Sequence, residues 1–255
     1  MFGRTDLCIE NEKTKENVKI TEKKEGITLY EGENDGSRHI TVAFPDILKT
    51  VDYSTLENEI ILSLKSLLPE IKGNIMVVGL GNTDITPDAI GPFTADGVLA
   101  TRHIMGDFAK NIGLDTLKSV SVISPNVLGK TGIESAEIIK SVAESTKPQA
   151  VIAIDALCAS DLERLFRTIQ LTNGGISPGS GVKNSRKALN KETLGVPVVA
   201  VGIPTVAELK NNDGQMIVTA KDADILCKNI SEILSRSINL FLQPDTDPEI
   251  ILSLV

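Results

Sequence analysis

Residues 77–92 read VVGLGNTDITPDAIGP: a β-branched run, two glycines, an asparagine, then a proline–aspartate pair. The stretch completes an apolar run over residues 75–80 with no polar alternation, the pattern of a strand buried on both faces. Three more runs share this character, at 120–123, 151–154 and 198–201, each bounded by Gly, Pro, Ser or Asp. Helical candidates near 93–105, 133–145 and 221–242 alternate with them. That alternation predicts an α/β protein, a single domain with a mostly parallel sheet and helices on both faces. The loops at the carboxyl ends of its strands are then the place for chemistry.

Upstream, residues 26–30 and 39–44 read as two strands around a polar turn, and from Ser54 the residues Leu56, Ile60, Ile61, Leu64, Leu67 and Leu68 recur at helical spacing before Pro69. Residues 1–25 are rich in Lys and Glu and predict a mobile start. No repeat, low-complexity segment or linker interrupts the 255 residues, which fit one large domain. Hydrophobic residues make up 41% and aromatics 3%, so Ile, Val, Leu and Ala must fill the core. A net charge of -8 and a pI near 4.9 argue against a nucleic-acid surface or a membrane surface. No secretory signal or membrane-spanning run is evident, and the three cysteines (Cys8, Cys158, Cys227) form no CxxC pair, which predicts reduced thiols in a cytoplasmic compartment. With two histidines, His39 and His103, a His-rich zinc site is not expected, and no metal or cofactor is predicted.

The glycines of 77–92 do not make a dinucleotide loop. Asp84 stands where G-x-G-x-x-G needs its third glycine, and a carboxylate there repels a pyrophosphate. No GK[ST] follows, so it is not a P-loop either. Peptidyl-tRNA hydrolases share a strand followed by GLGN but need a histidine soon after it, and none occurs before His103. What remains is Asp88, set behind the fixed φ of Pro87; it either caps the next helix or presents a carboxylate. A second aspartate favours the latter. AVIAIDALCAS at 150–160 puts Asp155 directly after a buried strand, 67 positions beyond Asp88. Neighbouring parallel strands would deliver both to one crevice, where two close carboxyls share a proton and hydrolyse a peptide bond through general acid and base roles.

Four segments carry a resemblance: RTDLCIE at 4–10, residues 77–92, residues 150–160, and TIQLTNGGISPGSGVKNSRKALNKETLGVPVVAVGIPTV at 168–206. In these the chain resembles the germination proteases of endospore-forming bacteria, and the resemblance implies a phosphorylase/hydrolase-like α/β fold. The resemblance implies an endopeptidase of atypical aspartic type, with Asp88 and Asp155 as its catalytic pair. It implies small acid-soluble spore proteins as substrates, a homotetramer and a spore-core location. It also implies a zymogen that removes its own propeptide, here residues 1–6, leaving a peptidase domain at 7–255. Thr5-Asp6-Leu7-Cys8-Ile9-Glu10 imitates the family's cleavage context, so self-cleavage is expected between Asp6 and Leu7; a charged, unstructured terminus is the plain alternative. Three features depart from the family: an early end at EIILSLV, only three residues before RTD, and Lys183 within the glycine-rich loop. Hydrogenase-maturation proteases, metal-dependent enzymes with a GxGN strand start, are the other enzyme reading, though the histidine of their nickel site has no match. An inactive relative that binds a spore partner is the non-enzyme reading.

Further candidates surround the pair. Asn82 and Thr86 either orient the Asp88 carboxylate or close an Asx-type turn, with Gly81 between strand and turn. Gly179, Ser180 and Gly181, in a loop too glycine-rich for a plain connection, either frame the crevice with backbone N–H groups or serve as structural turns. Arg186, with Lys183 and Lys187, either holds the acidic residue before the scissile bond or is a solvated basic face. Ser180 has no histidine to form a triad. Cys158 with His103 as a nucleophilic pair ranks below simple packing of a small buried residue, and His39 reads as a strand surface residue.

Overall fold

The computed structural model describes residues 5–10, 18–34, 36–49, 52–104, 106–111, 114–177, 188–211 and 214–254. In chain order the strands are β1 (Lys19–Glu22), β2 (Thr28–Asn34), β3 (Ser37–Ala43), β4 (Ile75–Gly79), β5 (Val120–Ile123), β6 (Ala150–Ala159), β7 (Thr168–Thr172), β8 (Val198–Asn211) and β9 (Gly214–Thr219). The helices are α1 (Ser54–Leu67), α2 (Ile90–Asp96), α3 (Gly106–Asn111), α4 (Leu128–Thr131), α5 (Ser135–Thr146), α6 (Lys191–Leu194), α7 (Ala223–Leu242) and α8 (Pro248–Ser253). All described strands join one sheet in the order β1-β2-β3-β7-β8-β6-β4-β5, with β9 paired to the far end of β8.

Four strands, β8-β6-β4-β5, pair in parallel, but β1-β2-β3-β7-β8 and the β8–β9 hairpin pair antiparallel. The sheet is therefore mostly antiparallel, not mostly parallel as the sequence pattern predicts. The parallel part is what that pattern sees: strands buried on both faces stand out as continuous apolar runs. Of the antiparallel part the sequence shows β2 and β3; β7, where Ile169 and Leu171 alternate with Thr168, Gln170 and Thr172, has no continuous apolar run to mark it. Residues 198–201 form only the start of the 14-residue β8.

Alternation along the parallel strands fills two core layers. Ile75, Val77, Ile152, Ile154, Val199 and Val201 meet Leu56, Ile60 and Leu64 of α1 and the apolar side of α7. Met76, Val78, Val151 and Ala153 meet Ala136, Ile139 and Ala143 of α5 on the other face. Helices on both faces are thus observed in this half. Burial of each such Leu, Ile or Val side chain contributes roughly 1.5–3 kcal/mol, so α7, with six buried Leu and Ile residues, is a main support of the first layer.

The helix predicted over 93–105 runs instead from Ile90 to Asp96 and stops at Gly97. Contacts from α7 end it: Asn239 Nδ2 donates to the Gly97 carbonyl at 2.9 Å, and the Leu99 N–H donates to Asn239 Oδ1 at 2.9 Å. Among the described residues no helix is long and apolar enough to cross a membrane.

Candidate active site

At the end of β4 the Leu80 N–H donates to the Ile154 carbonyl at 2.8 Å, which ties the loop to β6 one residue before Asp155. Gly81 then takes φ +124°, and a Cβ there would fall 1.9 Å from the Asp88 carbonyl oxygen. Only glycine fits a loop folded back this closely. Asn82 closes the turn: its Oδ1 accepts from the Asp84 N–H at 3.0 Å, and its own N–H donates to the Asp88 carbonyl at 3.1 Å. Pro87 sits in the short 3-10 turn Thr86–Asp88, and the Asp88 N–H donates to the Ile85 carbonyl at 2.7 Å.

That turn is clamped from β8, backed by β9, and from α7, through side chains whose part here the sequence reading does not identify. Thr205 Oγ1 on β8 donates to the Pro87 carbonyl at 2.6 Å, and Thr219 Oγ1 on β9 donates to the Thr205 carbonyl at 2.6 Å. From α7, the Cys227 thiol donates to the Thr86 carbonyl at 3.2 Å and Ser231 Oγ to the Ile90 carbonyl at 3.2 Å. Burial, helped by the nearby Asp224 carboxylate, pushes the Cys227 thiol up to about 12. It therefore stays a neutral donor at physiological pH.

Asp155 lies within β6, which continues to Ala159, and not directly after the strand as the apolar run predicts; it is 6% exposed, and the Ala156 N–H donates to its Oδ1 at 2.9 Å. Asp88 is half-buried at the surface of its turn. The turn lies against both β6 and β8. Gly91, three residues after Asp88, is pressed onto the chain before Asp155: a Cβ on Gly91 would be 2.7 Å from the Ile154 carbonyl and 2.1 Å from that of Leu80. The fold so directs both aspartates to the same end of two adjacent parallel strands. Asp155 registers with Gly202 on β8, and Gly202 with Gln170 on β7, so one row on one face runs from Asp155 to Gln170.

The segment Thr5–Glu10 crosses this end of the sheet as a strap. The Asp6 N–H donates to the Cys158 carbonyl at 2.8 Å, and the Cys158 N–H to Asp6 Oδ2 at 3.0 Å. Gln170 holds both sides of the Asp6–Leu7 bond: its Nε2 donates to the Asp6 carbonyl at 3.2 Å, and its Oε1 accepts from the Cys8 N–H at 2.6 Å. Leu7 is 1% exposed. The Glu10 carboxylate accepts from the Ser160 N–H and Oγ, both at 2.8 Å, from the Asp161 N–H at 3.1 Å, and from Thr5 Oγ1. The mobile start expected from composition is thus replaced, over residues 5–10, by a docked segment whose acidic side chains accept hydrogen bonds from β6 and the turn after it.

Gly179, Ser180, Gly181 and Arg186, with Lys183 and Lys187, lie outside the described residues. The Cys158 thiol donates toward the Ala159 carbonyl at 3.6 Å, and the thiol that meets an imidazole is Cys8, 3.0 Å from His39 Nδ1. His39, read from sequence as a strand surface residue, is half-buried under the strap.

The family model for germination proteases matches residues 5–214. A germination protease of Caldanaerobacter subterraneus subsp. tengcongensis is 36% identical over 94% of this chain and 94% of that protein. One from Clostridium tetani is 39% identical over 83% of this chain and 80% of its own length. One from Halalkalibacterium halodurans is 52% identical over 52% of this chain and 36% of that protein. A match that takes in the strap, both aspartate-bearing loops and the whole of β8 leaves one conclusion: the chain belongs to the germination protease family.

Proposed function

We propose that this peptidase cleaves small acid-soluble spore proteins in the spore core, with Asp88 and Asp155 as its acid/base pair. The observation that carries this reading is the convergence at Ile154, whose carbonyl receives the Leu80 N–H and abuts Gly91. The carboxyls of such a pair share one proton. The ionised member takes a proton from a water molecule as that water attacks the scissile carbonyl; the protonated member donates to the departing amine. Which carboxyl holds the proton is a property of the pair, not of either residue. Backbone N–H groups of the loop at Gly179, Ser180 and Gly181, with Arg186 for the acidic residue before the cut, complete the proposed substrate cleft. The chain is made as a zymogen that cuts between Asp6 and Leu7 and assembles as a homotetramer. With Leu7 buried and the Asp6 carbonyl held by Gln170, the strap must lift before that bond can be cut.

The test is cleavage of a purified small acid-soluble spore protein by the wild type and by Asp88→Asn and Asp155→Asn, each with and without chelator. Chelator-resistant cleavage after acidic residues, lost by more than about a thousandfold in both variants, is the expected result. Full activity in either variant, or loss of wild-type activity with chelator, would overturn the assignment. N-terminal sequencing checks the self-cleavage site; a mature protein starting anywhere but Leu7 refutes it.

A further inference from the structure

Cys8 and His39 have no part in the reaction above, yet they form a pair of their own. The Cys8 sulfur lies 3.0 Å from His39 Nδ1, and both residues are half-buried. The other two thiols differ: Cys158 is 4% and Cys227 0% exposed, each directed at a backbone carbonyl. A thiol beside an imidazole can hand over its proton and become the nucleophilic thiolate, which a thiol facing a carbonyl cannot do. We propose that Cys8 is a modification site: a thiol activated by His39 that exchanges with low-molecular-weight disulfides, and whose mixed disulfide unseats the Thr5–Glu10 strap.

The exchange balances without any further reagent. In the tautomer that carries its proton on Nε2, His39 accepts the Cys8 proton at Nδ1. The thiolate attacks one sulfur of the disulfide R–S–S–R, the S–S bond breaks as the Cys8–S–S–R bond forms, and the leaving thiolate recovers the proton as R–SH. Cys8 is oxidised and half of the small disulfide reduced.

Unseating follows from geometry. Cys8 is half-buried and its sulfur already touches His39 at 3.0 Å, so a second sulfur with its substituent needs room that one side must give. His39 is fixed in the middle of the sheet, registered with Gly32 on β2 and Thr172 on β7. Cys8 sits on a six-residue strap, and so the strap yields. A separate observation points the same way. The Thr41 and Thr168 hydroxyls, on the face of the sheet over which the strap lies, are fully buried with no hydrogen-bond partner. The face is covered without being satisfied, and water competes well for such groups.

The intact chain, its N-terminus checked by mass, is treated in native buffer with 5,5′-dithiobis(2-nitrobenzoate), a small aromatic disulfide. The first labelled thiol is mapped by peptide mass, and amide exchange is followed before and after. Cys8 is expected to label first, with His39→Gln slowing it about tenfold, the loss in thiolate that one unit of thiol acidity brings. The Leu7 and Cys158 amides should then exchange faster. First labelling at Cys158 or Cys227, or an unchanged rate in His39→Gln, overturns the activation; a labelled Cys8 with unchanged exchange at Leu7 and Cys158 overturns the unseating. Mapping in the wild type needs no variant to fold.

Discussion

Gly91 rests on the carbonyl of Ile154, so closely that a methyl group on Gly91 would stand 2.7 Å from that oxygen. The contact joins the start of α2, three residues past Asp88, to the residue just before Asp155. Gly91→Ala must therefore push α2 off β4 and β6. A displacement near 1 Å in a reacting group costs on the order of 100-fold in turnover, and that is the loss expected in kcat, with a smaller change in KM. Gly129→Ala is the control, since nothing lies within 4 Å of its added methyl. Steady-state kinetics beside a melting curve separates the two; wild-type kcat in a folded Gly91→Ala protein would contradict the convergence.

The clamp on the Asp88 turn is open to a finer test. Thr205→Val keeps the shape of the side chain but removes the hydroxyl that donates to the Pro87 carbonyl. An acceptor left buried without a donor costs about 1–3 kcal/mol, and Thr205→Ser should recover most of it. If the turn positions Asp88 for the reaction, Thr205→Val lowers kcat beyond what its melting temperature accounts for. Equal kcat in the Val and Ser variants would reduce Thr205 to a purely structural residue.

The clamp also marks the limit of what was legible in the sequence. Asp88 and Asp155 stand out as candidates because a run apolar on both faces precedes each, and such runs are visible without partners; that β6 runs on through Asp155 to Ala159 is not visible in that way. Thr205, Cys227 and Ser231 do not stand out, because they come from β8 and α7, and nothing local in those segments signals that a hydroxyl or thiol will turn back to a loop more than a hundred residues earlier. Among the antiparallel strands β2 and β3 are legible as a hairpin, but β7 is not, for a related reason. Gln170 and the threonines of β7 look like loop polarity until the strap and β3 are laid across them. The overrun of α2 had the same origin, since Asn239 ends the helix at Gly97 from the far side of the chain.

Glu10 anchors the strap at its far end, and its loss should be felt at Leu7. Glu10→Gln keeps an acceptor but removes the charge that the Ser160 and Asp161 N–H groups face. The site is partly exposed, which screens the charge, so a cost of about 1 kcal/mol is expected, or roughly 2–4 °C in Tm. Amide exchange at Leu7 and Cys8 should rise while that of β4 and β6 stays constant. Glu22→Gln on the exposed β1 is the comparison. Protection at Leu7 equal to wild type would show that the strap is held without Glu10.

Cys227 supplies a pH dependence with a defined sign. Its thiol, ordinarily near 9.0, is pushed up to about 12 in the folded chain by burial and by Asp224. The unfolded chain therefore releases this proton first as pH rises, and the unfolded state binds fewer protons between 9 and 12 than the folded one. Stability falls through that window, while the contribution is complete below pH 9. By pH 10 the loss from this one group is on the order of 1 kcal/mol. Cys227→Ser retains a donor to the Thr86 carbonyl and has nothing to ionise there, so its stability should fall less. Urea unfolding of both proteins at pH 8 and pH 10 gives the difference directly, because Cys8, Cys158, the lysines and the tyrosines cancel between them. The gap should widen by about 1 kcal/mol in favour of the serine variant, and a constant gap would mean that the thiol titrates alike in both states.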